Sequence, residues 1–156
     1  IDQILEVLRN NDTKITFFMV GDWIEKFPEA VKKIYDEGHE IASHSDTHPH
    51  VNNLSYEQNI EEIEKSNDKI EKITGTRTKI YRAPLTGEEM WNRLDGKIKA
   101  GDIILSHNGT KHTADSLDML LKNIKQKGFE VVKVSDLRYL DSYTINSNGT
   151  QILIGK

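Results

Sequence analysis

The chain has 156 residues with 36% hydrophobic and 29% charged side chains, no cysteine and a formal charge of −4. That length builds one domain with a real core, and without thiols any metal must be held by imidazole and carboxylate. The mild acidity argues against nucleic acid as the main partner, and no apolar run approaches the roughly 20 residues that cross a bilayer.

Ile1, Ile4, Leu5 and Leu8 fall at helical spacing, and the polar NNDTK stretch closes that helix. The chain thus opens inside a helix, with neither an initiator methionine nor a signal peptide, and reads as a processed or incompletely represented product. ITFFMVG (15–21) is a continuous apolar run of strand length. Pro28 suits the first turn of a helix carrying Ala30, Val31, Ile34 and Tyr35, with Gly38 as its stop. HEIAS is a second strand. Ser55 and Gln58 form a capping-box pattern that opens a long helix with an inner seam of Ile60, Ile63, Ile70 and Ile73 and Gly75 beyond its end.

The alternation continues with KIYR (79–82) as strand three, a short helix near Met90 to Leu94, and DIILSH (102–107) as strand four. Leu117, Leu120, Leu121 and Ile124 mark a helix stopped at Gly128, and FEVVKV (129–134) is strand five. Strands alternating with helices predict βαβ units and a parallel sheet, open or closed into a barrel. The tail, residues 140–156, reads as a turn and a short extra strand outside a domain spanning 1–139.

In parallel α/β folds, sites form at the carboxyl ends of the strands. Strand two runs into His44, Asp46, His48 and His50, strand three ends at Arg82, and strand four ends at His107, so all should share one rim. Pro49 biases His48 away from helical angles, which sets the HSDTH pentad in a tight loop able to aim both rings at one cation. Solvated loop histidines, with Ser45 and Asp46 making turn bonds, are the alternative. Arg82 would pair with a carboxylate in the site or on the surface. His107 suits a general acid or a hydrogen-bonded structural residue. His39 and His112 sit in turn contexts without a functional role, and the Asn-x-Ser/Thr matches at Asn11, Asn53, Asn108 and Asn148 are short enough to arise by chance.

The ordered set TFFMVG, GHEIASHSDTHP, YRAP, GDIILSHN and KGFEVVKVSDL resembles the polysaccharide deacetylase family, the NodB-like carbohydrate esterases, and within it the bacterial peptidoglycan and sporulation-type enzymes. The similarity runs from Ile1 to Tyr139. It implies a distorted (β/α) barrel and an enzyme that hydrolyses the acetamide groups of an N-acetylated polysaccharide outside the cytoplasmic membrane. His44 and His48 would bind a divalent metal, usually zinc. Arg82 would orient the catalytic carboxylate, and the R-x-P match includes Pro84. The Leu85 N–H would face the oxyanion, Leu105 would wall the acetyl methyl, and His107 would be the general acid.

The family's T-F-D-D motif, which supplies the base and a third metal ligand, has no match in this sequence, nor does its D-x-D-W-like motif. Trp91 lies in a helix context and is not the groove tryptophan. The expectation is that the parent protein carries both pieces, with Asp46 a poor substitute. Two alternatives stand beside this reading. One is a non-catalytic relative serving as a glycan-binding or scaffold module. The other is a different metallohydrolase using His48-Pro49-His50 as an H-x-H pair. No protein partner is implied.

Overall fold

The computed structural model describes residues 1–82, 84, 99–106, 113–146 and 151–154. Helix α1 (Asp2–Asn10) presents Leu5 and Leu8 on one face, and both are fully buried. Asn11 closes it by donating from Nδ2 back to the Val7 carbonyl at 2.9 Å and across to Asp118 Oδ1 at 2.9 Å. Strand β1 (Thr16–Met19) is next in the chain, then the short helix α2 (Gly21–Lys26) and helix α3 (Pro28–Asp36), which has proline in its first turn. Gly38 adopts φ +82, the left-handed turn that lets the chain leave α3 for β2 (Glu40–Ser43).

A single 3₁₀ turn (Val51–Asn53) precedes α4 (Tyr56–Thr74), the longest helix described. The capping box forms as expected: Ser55 Oγ accepts the Gln58 N–H while the Gln58 side chain accepts the Ser55 N–H. The seam differs from the sequence reading. Ile70 is buried, Ile63 and Ile73 are half-buried, and Ile60 is exposed, while Ser66 and Asn67 fill the inner face. The buried residues of the helix lie in its second half, at Ser66, Asn67 and Ile70, so the first turns of the stripe meet solvent. Helix α5 (Thr113–Gln126) buries Leu121 and Ile124 and packs on α1, and α6 (Val134–Leu137) is one turn.

β1 and β2 pair in parallel, from Thr16 opposite Glu40 to Met19 opposite Ser43. Tyr81 adds an isolated parallel bridge to Ser43 on the far edge of β2. Among the described residues the expected strands three, four and five form no ladder of their own. Among the described residues, 79–82 make that one bridge, 102–106 and 129–133 carry no ladder, and the last residue of FEVVKV begins α6. A strand is defined by its neighbour, and an apolar run alone does not supply one. Even so, residues 134 and 135 dock beside β1: the Val134 N–H donates to Thr16 Oγ1 at 2.9 Å and the Ser135 N–H to Glu40 Oε2 at 3.3 Å. The tail forms an antiparallel hairpin, β3 (Tyr143–Ile145) with β4 (Gln151–Leu153), where the sequence suggested one strand.

The core joins Leu5, Leu8, Met19, Ile24, Val31, Ile34, Ile41, Ile70 and Leu121. Burying such side chains stabilises the fold by about 1.5–3 kcal/mol each. The layer of α2, α3 and α4 therefore fixes one face of β2 and the histidine loop at its end. At the amino ends of the strands, opposite that loop, lies a cavity of about 730 Å³ lined by His39, Glu40, Lys79, Ile80 and Lys133 among others.

Candidate active site

Because β1 and β2 run parallel and Tyr81 bridges Ser43 in the same sense, the three segments leave the sheet at one rim. Val20 and Gly21 come after β1, His44 after β2, and Arg82 after Tyr81. The backbone pins this rim: the His44 N–H donates to the Met19 carbonyl at 2.9 Å and the Arg82 N–H to the Ser43 carbonyl at 3.0 Å.

His44 is almost wholly buried. Its Nδ1 lies 2.6 Å from the Arg82 carbonyl oxygen. A carbonyl only accepts, so Nδ1 carries the proton and Nε2 the lone pair. Arg82 donates from its guanidinium to that Nε2 at 2.7 Å. The same guanidinium lies over the Phe18 ring, 5.5 Å from its centroid, and burial pulls the arginine pKa below its ordinary value. The His48 ring stands edge-on to His44, with centroids 4.8 Å apart. Among the described residues the guanidinium thus meets an imidazole, while Asp46, the carboxylate of the loop, pairs with Lys69.

The loop between the two histidines is strained and held from several sides. Ser45 and His48 both have positive φ, at 69 and 62, which costs a residue with a side chain about 1 kcal/mol or more. Ser45 Oγ accepts the His48 N–H at 3.0 Å. Glu62, on α4, accepts the N–H groups of Asp46 and Thr47 at 2.9 and 2.8 Å on Oε2 and the Thr47 hydroxyl at 2.9 Å on Oε1. From the other side the N–H groups of Gly21 and Asp22 donate to the carbonyls of Ser45 and Asp46 at 3.0 and 2.9 Å.

Asp46 is buried and its Oδ1 pairs with Lys69 Nζ at 2.8 Å, while Lys69 also reaches Glu25 at 3.1 Å. Burial works against the lysine charge, but these two carboxylates hold its pKa above the ordinary value. Gly21 is required for space: a Cβ there would lie 1.8 Å from Asp46 Oδ1.

The structure thus brings His44, His48 and Arg82 together. Pro84 is buried next to them in sequence, and Leu105 is half-buried. His107 and Leu85 lie outside the described residues, as do His112, Trp91 and the short helix expected near Met90. Asp46 serves Lys69. His50 Nδ1 accepts the Asn52 N–H at 3.4 Å and so caps the 3₁₀ turn. His39 is a core residue at the opposite end of the sheet, packed edge-on to Phe17. Glu62, Lys69 and Gly21 went unnoticed in the sequence. Only the glycine after an apolar strand, ahead of a histidine loop, carried a signal there.

Two imidazoles, one with its tautomer fixed by a carbonyl, are suitable donors for a borderline-soft divalent ion. Among the described residues no cluster of three or more histidine, aspartate or glutamate side chains completes the shell. The rim can therefore supply two nitrogen donors, a half-buried cation beside them and a backbone scaffold.

Residues 1–93 match the family model described as polysaccharide deacetylase. The uncharacterised protein YlxY of Bacillus subtilis is 30% identical over 88% of this chain and 52% of its own length. The peptidoglycan-N-acetylmuramic acid deacetylase PdaC of the same organism is 29% identical over 87% of this chain and 35% of its own. The chain thus spans about half or less of these curated relatives. The solved structure of PdaC superposes with a TM-score of 0.76 at 27% identity, covering 87% of this chain and 81% of that one. A mutant of BA3943, a CE4 family pseudoenzyme with restored activity, gives 0.79 at 28% identity over 87% and 61%.

Proposed function

The chain belongs to the polysaccharide deacetylase family and has its α/β fold, and from that premise we propose that it is the catalytic module of a metal-dependent N-deacetylase. Its substrate is peptidoglycan or a related N-acetylated polymer, met at the cell envelope or outside the cell. The observation that carries this reading is the paired imidazoles of His44 and His48 on the strand rim, beside Arg82.

His44 and His48 hold the metal, zinc by preference. When bound, a divalent ion supplies Lewis-acid polarisation of the acetamide carbonyl and a more acidic water. The chain's own residues do the rest. The Arg82 carbonyl, by accepting from His44 Nδ1, would leave Nε2 as the nitrogen for the ion, and the guanidinium would orient the carboxylate that takes the proton from water. The Leu85 N–H stabilises the oxyanion. Leu105 excludes water around the acetyl methyl, and His107 protonates the departing sugar amine so that acetate is released. The activity is proposed for the polypeptide in which these residues work with the T-F-D-D carboxylates that the sequence resemblance calls for.

The test is acetate release from N-acetylglucosamine oligomers and from peptidoglycan by the purified natural protein, whose intact mass is measured first. Zinc-dependent release that is lost in His107→Ala, with zinc affinity retained, supports the reading. Glycan binding without acetate release assigns the protein instead to the non-catalytic relatives, for which the pseudoenzyme neighbour is a precedent.

A further inference from the structure

The acidic run on α4 contains Glu61, Glu62 and Glu64, and the structure gives these residues different tasks. Glu61 pairs with Lys65 one turn along the helix, and Glu64 pairs with Arg77, which also gathers Asp68 and Glu71. These are exposed helix-surface pairs of the ordinary kind. Glu62 faces the other way. Both of its oxygens are used on the loop that separates the two rim histidines, through two consecutive backbone N–H groups and one hydroxyl. Its charge is also felt at Tyr81, whose hydroxyl pKa is raised by burial first and by Glu62 second. Glu62 is therefore bonded to the histidine loop and close enough to Tyr81, the residue before Arg82, for its charge to be felt there.

We propose that Glu62 is a positioning residue for the rim histidines: its carboxylate holds the left-handed Ser45–His48 turn in the one shape that brings the His48 ring against His44. Three observations support this. The bonded N–H groups belong to Asp46 and Thr47, the residues between the two left-handed positions. Two successive amides sharing one carboxylate oxygen fix the orientation of both peptide planes, and with them the direction in which the chain enters His48. The helix that carries Glu62 is a stiff platform, capped at Ser55 and anchored by buried Ser66, Asn67 and Ile70. In consequence, Glu62 sets metal affinity without touching the metal. That consequence rests on the metal reading of His44 and His48, whereas the geometric role does not.

The test uses the full 156-residue chain and two readouts, zinc titration by calorimetry and ring-to-ring nuclear Overhauser effects between His44 and His48. Glu62→Ala should lose the ring contacts and weaken zinc binding by about ten- to a hundredfold. Glu62→Gln, which keeps an acceptor for the two N–H groups, should restore both. Glu64→Ala, in the same helix, should change neither. If Glu62→Ala does not fold, Thr47→Val removes only the hydroxyl bond and should show a smaller loss of the same kind. Retention of both ring contacts and zinc affinity in Glu62→Ala would overturn the proposal, and so would equal losses in the alanine and glutamine variants. Loss of the ring contacts in Glu62→Ala, in a protein whose wild type takes no zinc, would leave positioning standing and remove the metal reading instead.

Discussion

His44 and Arg82 grip each other at both ends: the imidazole Nδ1 meets the arginine's own carbonyl at 2.6 Å, and Nε2 meets its guanidinium at 2.7 Å. The first contact is made by backbone and survives any substitution that preserves the bridge at Tyr81. The second belongs to the side chain and occupies the lone pair that a metal would use. Arg82→Ala therefore separates two effects. Zinc affinity should hold or rise several-fold, because a competing cation is gone, while acetate release should fall about 10²-fold as the reacting groups lose their alignment. Calorimetry and an acetate assay measure the two, and a collapse of zinc binding comparable to that of His44→Ala would contradict the assignment.

His39 makes stability fall in mild acid. It is buried with Nδ1 accepting the Ile15 N–H at 3.3 Å, and burial first, then the charge of Lys14, lower its pKa from 6.5 to about 4. Glu37 opposes this and Arg9 adds to it. The unfolded chain takes up a proton near 6.5 and the folded one only near 4, so the contribution is complete above pH 6.5 and is lost as pH falls between those values. The loss amounts to a few kcal/mol at most. Urea melts at about pH 7 and about pH 4.5 should differ less in His39→Gln than in wild type.

Gly21→Ala should cost about 1–3 kcal/mol by overpacking, since the new methyl meets the Asp46 carboxylate and lies 3.0 Å from the Asp46 Cα. Asp46→Ala costs stability on its own by removing the partner of Lys69. Combined, the two substitutions should cost clearly less than their sum, because each relieves the other. Denaturant midpoints of the four proteins form the cycle, and simple additivity would show that the contact is not made.

Ile70→Ala and Ile60→Ala remove the same side chain from opposite ends of one helix. The first, fully buried against β2 and its neighbours, should cost about 2–5 kcal/mol. The second, which is 41% exposed, should cost less than about 0.5 kcal/mol beyond the small change in helix propensity. Urea melts distinguish them directly.

Helices were legible where period and caps agreed. Leu5 and Leu8 in α1, proline at the start of α3, the Ser55–Gln58 box and the left-handed Gly75 and Gly128 all carry their signal within a few residues. Helix α2 was missed because it holds only six residues and starts on a glycine, where local preference is weakest. The runs at 79–82, 102–106 and 129–133 read as strands, since an apolar extended segment is visible locally while its hydrogen-bonding neighbour is not. At the site, strand-end placement brought His44 and Arg82 together in advance, while the direct bond between them had no signal in the sequence. Glu62 was hidden among its neighbours because nothing in a row of glutamates says which one turns inward.

The contact between Gly21 and Asp46 also has a consequence across descent. The two positions are far apart in the chain but share one volume, so neither is free to drift while the other stays. A lineage that gains a side chain at position 21 must first lose bulk at position 46. With that carboxylate gone, the cation at 69 loses its buried partner and should become dispensable in turn. Variation at 46, 21 and 69 should therefore be inherited as a block, with the change at 46 permitting the other two, while the two rim histidines beside them stay unchanged.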